Sequence, residues 1–166
     1  MESLFCGGKF CFDYQHDGYE QDAAADYRAI LLQDVDKLLR LSPQVRLSEN
    51  LSYVGPYYFE SDGMVDEEIV RTETEQIARC SVAVFLLEDG SCPGTVAEML
   101  YAASLRKRMI VFYVRNEEET ESSLRSACWY PILLCKQLNG DAIDVVACKD
   151  GAEAQQKLLR RVREML

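Results

Sequence analysis

The chain is 166 residues long, and 48% of its residues are apolar and 28% are charged. A chain of this size and apolar content suits one compact domain with a core of its own, and we expect residues 1–166 to form a single domain. Its 18 basic and 28 acidic residues give a net charge of -10, which disfavours DNA, RNA and anionic membrane surfaces as partners.

The cysteine pattern and the lack of long apolar stretches bear on the cellular compartment. No CxxC pair or histidine-containing ligand set is present, and several of the seven cysteines lie inside apolar runs. No stretch approaches the roughly 18 apolar residues of a membrane span, and the N-terminus lacks the pattern of a secretory signal. We therefore expect a cytoplasmic protein without a metal site, whose cysteines are reduced core residues.

Hydrophobic periodicity predicts strands that alternate with helices along the chain. The predicted elements, in chain order, are a strand at 3–6, a helix at 22–41, a strand at 51–54, a helix at 66–80, a strand at 81–87, a helix at 95–105, a strand at 109–114, a strand at 143–147 and a helix at 152–166. The polar span 116–125 leaves a further short helix open. This alternation predicts a doubly wound, flavodoxin- or Rossmann-like α/β domain with a roughly five-stranded parallel sheet and helices on both faces.

The segment after the central strand carries the strongest functional signal. An all-apolar strand at 82–87 runs into a loop with Asp89, Gly90 and Gly94, and a helix with Glu98 follows. Ligands of parallel sheets collect at the carboxyl ends of the strands, and the two acids fall there. The glycines allow a tight turn and a close approach of the backbone to a ligand.

A structural alternative exists for Glu98 and for two acids of the preceding helix. Thr95 and Glu98 fit a capping box, in which the hydroxyl and the carboxylate satisfy backbone amides in the first turn of a helix. Glu73 and Glu75 fit a solvated helix face equally well. The glycine loop, the second acid and the predicted strand order favour a functional carboxylate at Glu98.

Two further segments are candidates for ligand contact. Gly7 and Gly8 interrupt the first predicted strand, as either a ligand-binding turn or a plain turn, and the chain has no GxGxxG or GxxxxGK[ST] motif. The aromatic loop that contains Tyr57 and Tyr58 offers rings that stack on a flat ligand, or it is a hydrophobic lid or subunit contact.

These motifs together resemble the nucleoside 2-deoxyribosyltransferase family over about residues 3–114. The resemblance rests on the glycine pair after the first strand, the helix that ends at 77–80, the strand at 81–87 and the segment PGTVAEMLYA at 93–102. The GT-x-x-E-x-x-x-A portion is also similar to the Lonely Guy phosphoribohydrolases, which act on nucleotide N-glycosidic bonds.

The resemblance implies a covalent mechanism at Glu98. This glutamate attacks the anomeric carbon, displaces the base and holds the deoxyribose as an ester until a second base or water takes it. Glu73, where the family usually has an aspartate, and Asp89 are the candidates for the acid that protonates the departing base. No metal or organic cofactor is implied.

The resemblance also implies substrate-binding positions and an oligomer. Phe5 stands where the family often has a tyrosine, and Cys92 stands where an aspartate or a serine holds the 5' substituent of the sugar. A homo-oligomer with shared sites is implied, since a neighbouring subunit completes each site. The alternatives are a nucleotide-sensing module without catalysis and a phosphoribohydrolase. The base preference, the 5' substituent of the substrate and the choice between transfer and hydrolysis stay open. The predicted substrate-binding residues are Gly7, Gly8, Phe5, Lys9, Cys92, Gly94, Tyr57 and Tyr58.

Overall fold

The structure is a computed structural model that describes residues 1–8, 26–33, 45–56, 66–87, 93–114 and 129–165. Strands and helices alternate through these ranges, and a short 3-10 turn at Gly140–Ala142 leads into the last strand. The elements are β1 (Glu2–Gly8), α1 (Tyr27–Leu32), β2 (Val45–Arg46), β3 (Leu51–Gly55), α2 (Asp66–Arg79), β4 (Val82–Leu87), α3 (Pro93–Ser104), β5 (Arg108–Val114), α4 (Trp129–Asn139), β6 (Ile143–Cys148) and α5 (Gly151–Met165).

The strands form one sheet in the order β2-β3-β1-β4-β5-β6. Five of them are parallel, and β2 pairs antiparallel with β3 at the edge. The predicted doubly wound α/β class and its five parallel strands are therefore confirmed, whereas the edge strand β2 was not predicted. β1 pairs with β3 on one side and with β4 on the other, so the strand order reverses beside β1. In open α/β sheets this reversal, the switch point, is where ligands bind.

The helices cover both faces of the sheet, as predicted, and each face has its own core. On one face, α1 and α5 pack against side chains such as Leu4, Cys6 and Val84. On the other face, α2, α3 and α4 pack against Phe5, Phe85 and Val111. Successive residues of β1 point to opposite faces because side chains alternate along a strand. Gly7 therefore faces α2 and α3, on the same side as Phe5.

The first strand and the first helix differ from the prediction. β1 continues through Gly7 and Gly8, which pair with Phe85 and Leu86, so the glycine pair ends the strand rather than interrupting it. The expected continuous helix at 22–41 is wrong, because Asp26 has an extended backbone and caps a helix that begins at Tyr27. That helix ends after one and a half turns, where Gln33 adopts a left-handed backbone with φ 55°.

The helix after β4 begins two residues earlier than predicted. Pro93 is the first residue of this helix. Proline suits this position because its φ is already near the helical value, and because a backbone N–H in the first turn would have no partner within the helix. Gly94 is thus helical rather than part of a tight turn. α4 was not predicted at all, although Pro131 falls in its first turn, where proline is tolerated.

Four cysteines lie in the described ranges, and all four are free and buried. Burial raises the pKa of the Cys80 and Cys135 thiols to about 11, and it also raises the pKa of Cys6 and Cys148. None of the helices that the structure describes is long and apolar enough to cross a membrane. Cys11, Cys92 and Cys128 lie outside the described residues.

Candidate active site

Glu98 lies at the switch point, with its carboxylate against the carboxyl end of β1. It is the sixth residue of α3, counted from Pro93, and therefore sits in the second helical turn. A Cβ atom added at Gly7 would lie 2.8 Å from Glu98 Oε2 and 2.7 Å from the Phe85 ring. Only glycine leaves room for both groups, so the absence of a side chain at position 7 makes the space that the carboxylate occupies.

The capping-box alternative for Glu98 does not agree with this geometry. Thr95 is the third residue of α3, and an N-cap residue must precede the first helical residue. The threonine is buried, and the carboxyl of Glu98 forms a hydrogen bond with the carboxyl of Glu73 instead. The expected position of Glu98 in the first turn is therefore wrong.

Glu73 reaches the site from the inner face of α2. Helix residues three and four positions apart share a face, and Glu73 shares its face with Gln76 and Ile77, both of which are buried. Glu75 lies on the outer face, where it is exposed and forms a long ion pair with Arg79 at 3.6 Å. The solvated-face alternative thus fits Glu75 and does not fit Glu73.

The two site carboxyls are partly buried and share a hydrogen bond, in which the protonated carboxyl donates to the ionised one. Burial raises the pKa of Glu98 to about 8, and the negative charge of Glu73 adds to this shift. Burial also raises the pKa of Glu73, while the hydrogen bond from Glu98 acts in the opposite direction. A hydrogen bond between two carboxyls requires a proton on one of them, which the raised pKa of Glu98 favours on Glu98, and the pair titrates as a unit.

A buried ion pair at the start of α1 adds a positive charge that sequence reasoning missed. Arg28 Nη2 and Nε donate to the two carboxylate oxygens of Asp26 at 2.6 and 2.8 Å, and both side chains are fully buried. The guanidinium lowers the pKa of Glu73 and Glu98, against the effect of burial. An Asp and an Arg two residues apart look like solvated helix charges in the sequence, so no local signal marked them.

The other predicted substrate residues have separate positions. Phe5 is fully buried, with its ring centroid 6.1 Å from that of Phe85, so it packs in the core beneath the site. A Cβ at Gly8 would make only ordinary contacts, the nearest with Leu86 at 3.5 Å. Gly94 is exposed, and a Cβ there would meet no atom within 4 Å. Asp89, Lys9, Cys92, Tyr57 and Tyr58 lie outside the described residues.

The described residues also form a depression at the opposite, amino end of β5 and β6, far from the glutamates along the strands. Three of its charged lining residues pair with one another, because Arg161 contacts Asp144 at 2.6 Å and Glu164 at 3.8 Å. No group of three metal-ligating side chains occurs in the part of the chain that the structure describes. Within the described ranges, Glu73 and Glu98 thus lie at the switch point, away from this depression.

Comparisons with known proteins give a match in structure and none in sequence. No protein-family model matches the chain, and no curated protein matches it. Among solved structures, the Clostridium botulinum CMP N-glycosidase BcmB is similar, with a TM-score of 0.51 and 11% sequence identity. The similarity covers 99% of this chain and 100% of that chain. The two proteins share the fold.

Proposed function

We propose that this protein cleaves or transfers the N-glycosidic bond of a nucleoside or nucleotide, with Glu98 as the nucleophile. The observation that carries the proposal is the hydrogen-bonded pair of Glu98 and Glu73 against Gly7, at the switch point of the sheet. Two carboxyls that hold one proton supply both groups that a retaining glycosyl transfer needs, an anion and an acid.

The reaction proceeds in two displacements at the anomeric carbon. In the first, the proton of the pair passes from Glu98 to Glu73, the carboxylate of Glu98 forms a C–O bond to that carbon while the C–N bond breaks, and Glu73 delivers this proton to the departing base nitrogen. In the second, water or another base attacks the same carbon, the ester bond to Glu98 breaks, and the carboxylate of Glu73 accepts the proton of the attacking group. Asp89, directly after β4, is the alternative proton donor.

The substrate class is proposed from the fold and the burial of the acids. The structurally similar BcmB is a CMP N-glycosidase, which supports a small nucleotide or nucleoside rather than a polymer. The net charge of -10 also opposes a nucleic-acid polymer. We propose a deoxyribosyltransferase or a related N-glycoside hydrolase, and the supply of an acceptor base decides between transfer and hydrolysis.

A panel of 2'-deoxynucleosides, ribonucleosides and their 5'-monophosphates tests this proposal, with and without a second free base. Base release is followed by chromatography for the wild type, Glu98→Gln and Glu75→Gln. We expect release by the wild type and by Glu75→Gln, since Glu75 is exposed on the outer face of α2, and none by Glu98→Gln. Release that needs a 5'-phosphate and tolerates a 2'-hydroxyl identifies a phosphoribohydrolase.

The second candidate is a nucleotide-binding module without catalysis. Phe5 favours it, because a fully buried phenyl ring supplies no hydroxyl beside the glutamates. Calorimetric binding of a nucleotide, together with no base release over long incubation, supports this candidate and overturns the enzymatic proposal.

A homo-oligomer with shared sites stays a prediction. α4 presents apolar side chains to solvent, including Trp129 at 41% and Tyr130 at 60% exposure. Sedimentation equilibrium measures the mass in solution, and a monomer at all concentrations contradicts the prediction.

A further inference from the structure

A third nitrogen of the guanidinium joins the buried ion pair at the start of α1 to β1. Asp26 binds the Nε and Nη2 edge of the Arg28 guanidinium. Nη1 on the other edge donates to the carbonyl oxygen of Cys6 at 3.4 Å. The guanidinium therefore has its carboxylate on one side and the backbone of β1 on the other.

The next residue of β1 is held in the same way and touches the nucleophile. The hydroxyl of Tyr27 donates to the carbonyl oxygen of Gly7 at 3.3 Å. On the opposite face of the sheet, Gly7 lies against Glu98 Oε2. Two successive side chains of α1 thus bind two successive carbonyls of β1, directly behind the glycine that makes room for the carboxylate.

We propose that Asp26 and Arg28 form a positioning unit for Glu98: the pair binds the carboxyl end of β1 behind the carboxylate and brings the positive charge of the guanidinium to this side of the site. The catalytic part of this inference rests on the proposed function. Arg28 acts through the Cys6 carbonyl, next to Gly7, and through its electric field.

The charges around the glutamates favour this role for Arg28. Two carboxyls in a partly buried site repel each other and tend toward full protonation, because burial disfavours the charged form. A guanidinium does not deprotonate in proteins, so its positive charge persists at every working pH. It lowers the pKa of both glutamates against the effect of burial, while its Nε and Nη2 bind the Asp26 carboxylate.

The remaining titratable groups near this unit are phenols and a thiol. Burial is the main cause that raises the pKa of Tyr27 and of Cys6, so both stay neutral near pH 7. Tyr53 on β3 interacts electrostatically with Arg28. The hydroxyl of Tyr53 donates a hydrogen bond to the Pro56 carbonyl at 2.7 Å. Among the described groups around Glu98, Arg28 is therefore the persistent cation.

Three variants separate charge from structure. Arg28→Met removes the guanidinium charge, and Arg28→Lys retains a positive charge. The double variant Asp26→Asn with Arg28→Met removes both charges, so that no buried carboxylate is left without its partner. Arg79→Met, which removes an exposed cation from α2, is the matched control. Thermal unfolding first establishes that each variant is folded.

The pH profile of kcat/KM for base release is the first readout. We expect the acid limb to move to higher pH in Arg28→Met and in the double variant, so that kcat/KM falls about tenfold or more at a fixed pH on that limb. In Arg28→Lys and Arg79→Met, we expect the acid limb of the kcat/KM profile to lie at the same pH as in the wild type. An unmoved limb in a folded double variant overturns the inference.

The second readout needs no activity. Infrared titration of the protonated-carboxyl band in the free protein, assigned by its loss in Glu98→Gln, follows the pair directly. The inference predicts that this band persists to higher pH in the double variant than in the wild type. If the wild type releases no base, the proposed function fails, while the infrared titration still supports or overturns the electrostatic role of Arg28.

Discussion

Gly7 on β1 and Glu98 on α3 meet across the switch point, with only the missing Cβ of the glycine between the backbone and the carboxylate. The Cβ of any other residue would come within 2.8 Å of Glu98 Oε2. The carboxylate is therefore held against a strand end, where ligands of doubly wound sheets bind. This contact explains in physical terms why a glycine belongs at the end of β1, although its backbone is that of an ordinary strand.

Gly7→Ala tests the contact. The added methyl must displace the Phe85 ring or Glu98, and we expect the free energy of unfolding to fall by about 1–3 kcal/mol, together with a loss of base release. Urea unfolding measures the first effect. Gly8→Ala is the matched control for stability, because its Cβ has room beside Leu86; equal stabilities of the two variants contradict the packing described for Gly7.

The raised pKa of Glu98 makes a prediction about stability and pH. Its pKa of about 8 lies above the usual 4.5, so between these values the folded protein binds more protons than the unfolded chain. The contribution of Glu98 to the free energy of unfolding is greatest below pH 4.5. It declines by on the order of a few kcal/mol as the pH rises to about 8. Glu98→Gln removes this decline.

Urea unfolding from pH 5 to pH 8 measures the difference between the wild type and Glu98→Gln. We expect the variant to gain stability relative to the wild type as the pH rises, and Glu75→Gln to follow the wild type. A constant difference across this range contradicts the raised pKa.

Glu73→Gln tests the proposed proton donor. Removal of a general acid lowers kcat by about 10²- to 10⁴-fold, and we expect the greatest loss for bases that depart poorly as anions. Glu75→Gln, two residues away on the outer face, leaves kcat unchanged. Full activity of Glu73→Gln moves the role to Asp89.

Asp26→Ala tests the buried ion pair as a structural unit. Loss of the carboxylate leaves the Arg28 guanidinium buried without its main partner, and we expect a destabilisation of about 3–5 kcal/mol. The double variant Asp26→Ala with Arg28→Met removes the second charge and recovers part of this loss. A double-mutant cycle from urea unfolding gives the coupling energy; purely additive effects contradict the pairing seen here.

Much of the fold could be predicted because its signals are local. The parallel sheet was indicated by the all-apolar strands and by the glycines and prolines between them. The strand order places Glu98 at the carboxyl ends of the strands, as the sequence implied. The short strand β2 (Val45–Arg46) could not be predicted, since two residues have no periodicity and its pairing with β3 is a tertiary contact. The start of α3 was misplaced because Thr95 and Glu98 satisfy the spacing of a capping box, whereas Pro93 fits the first helical position better.

Part of the candidate site could be predicted from the sequence, and the rest depends on tertiary packing. The sequence marked Glu98, Glu73 and Gly7, but their contact depends on how α2 and α3 pack across β1. The charge on Arg28 looked solvated, and only the packing of α1 against the strand buries it. Residue spacing specifies faces and turns, while burial of a charge depends on distant parts of the chain.

The most direct test of the central claim is a search for a glycosyl ester on Glu98. The protein is mixed with a substrate from the panel, quenched in acid within a single turnover, digested and examined by mass spectrometry. We predict a peptide that contains Glu98 and has gained the mass of the sugar, and its absence from Glu98→Gln. Base release by the wild type without this adduct, and with full turnover by Glu98→Gln, would contradict the covalent mechanism.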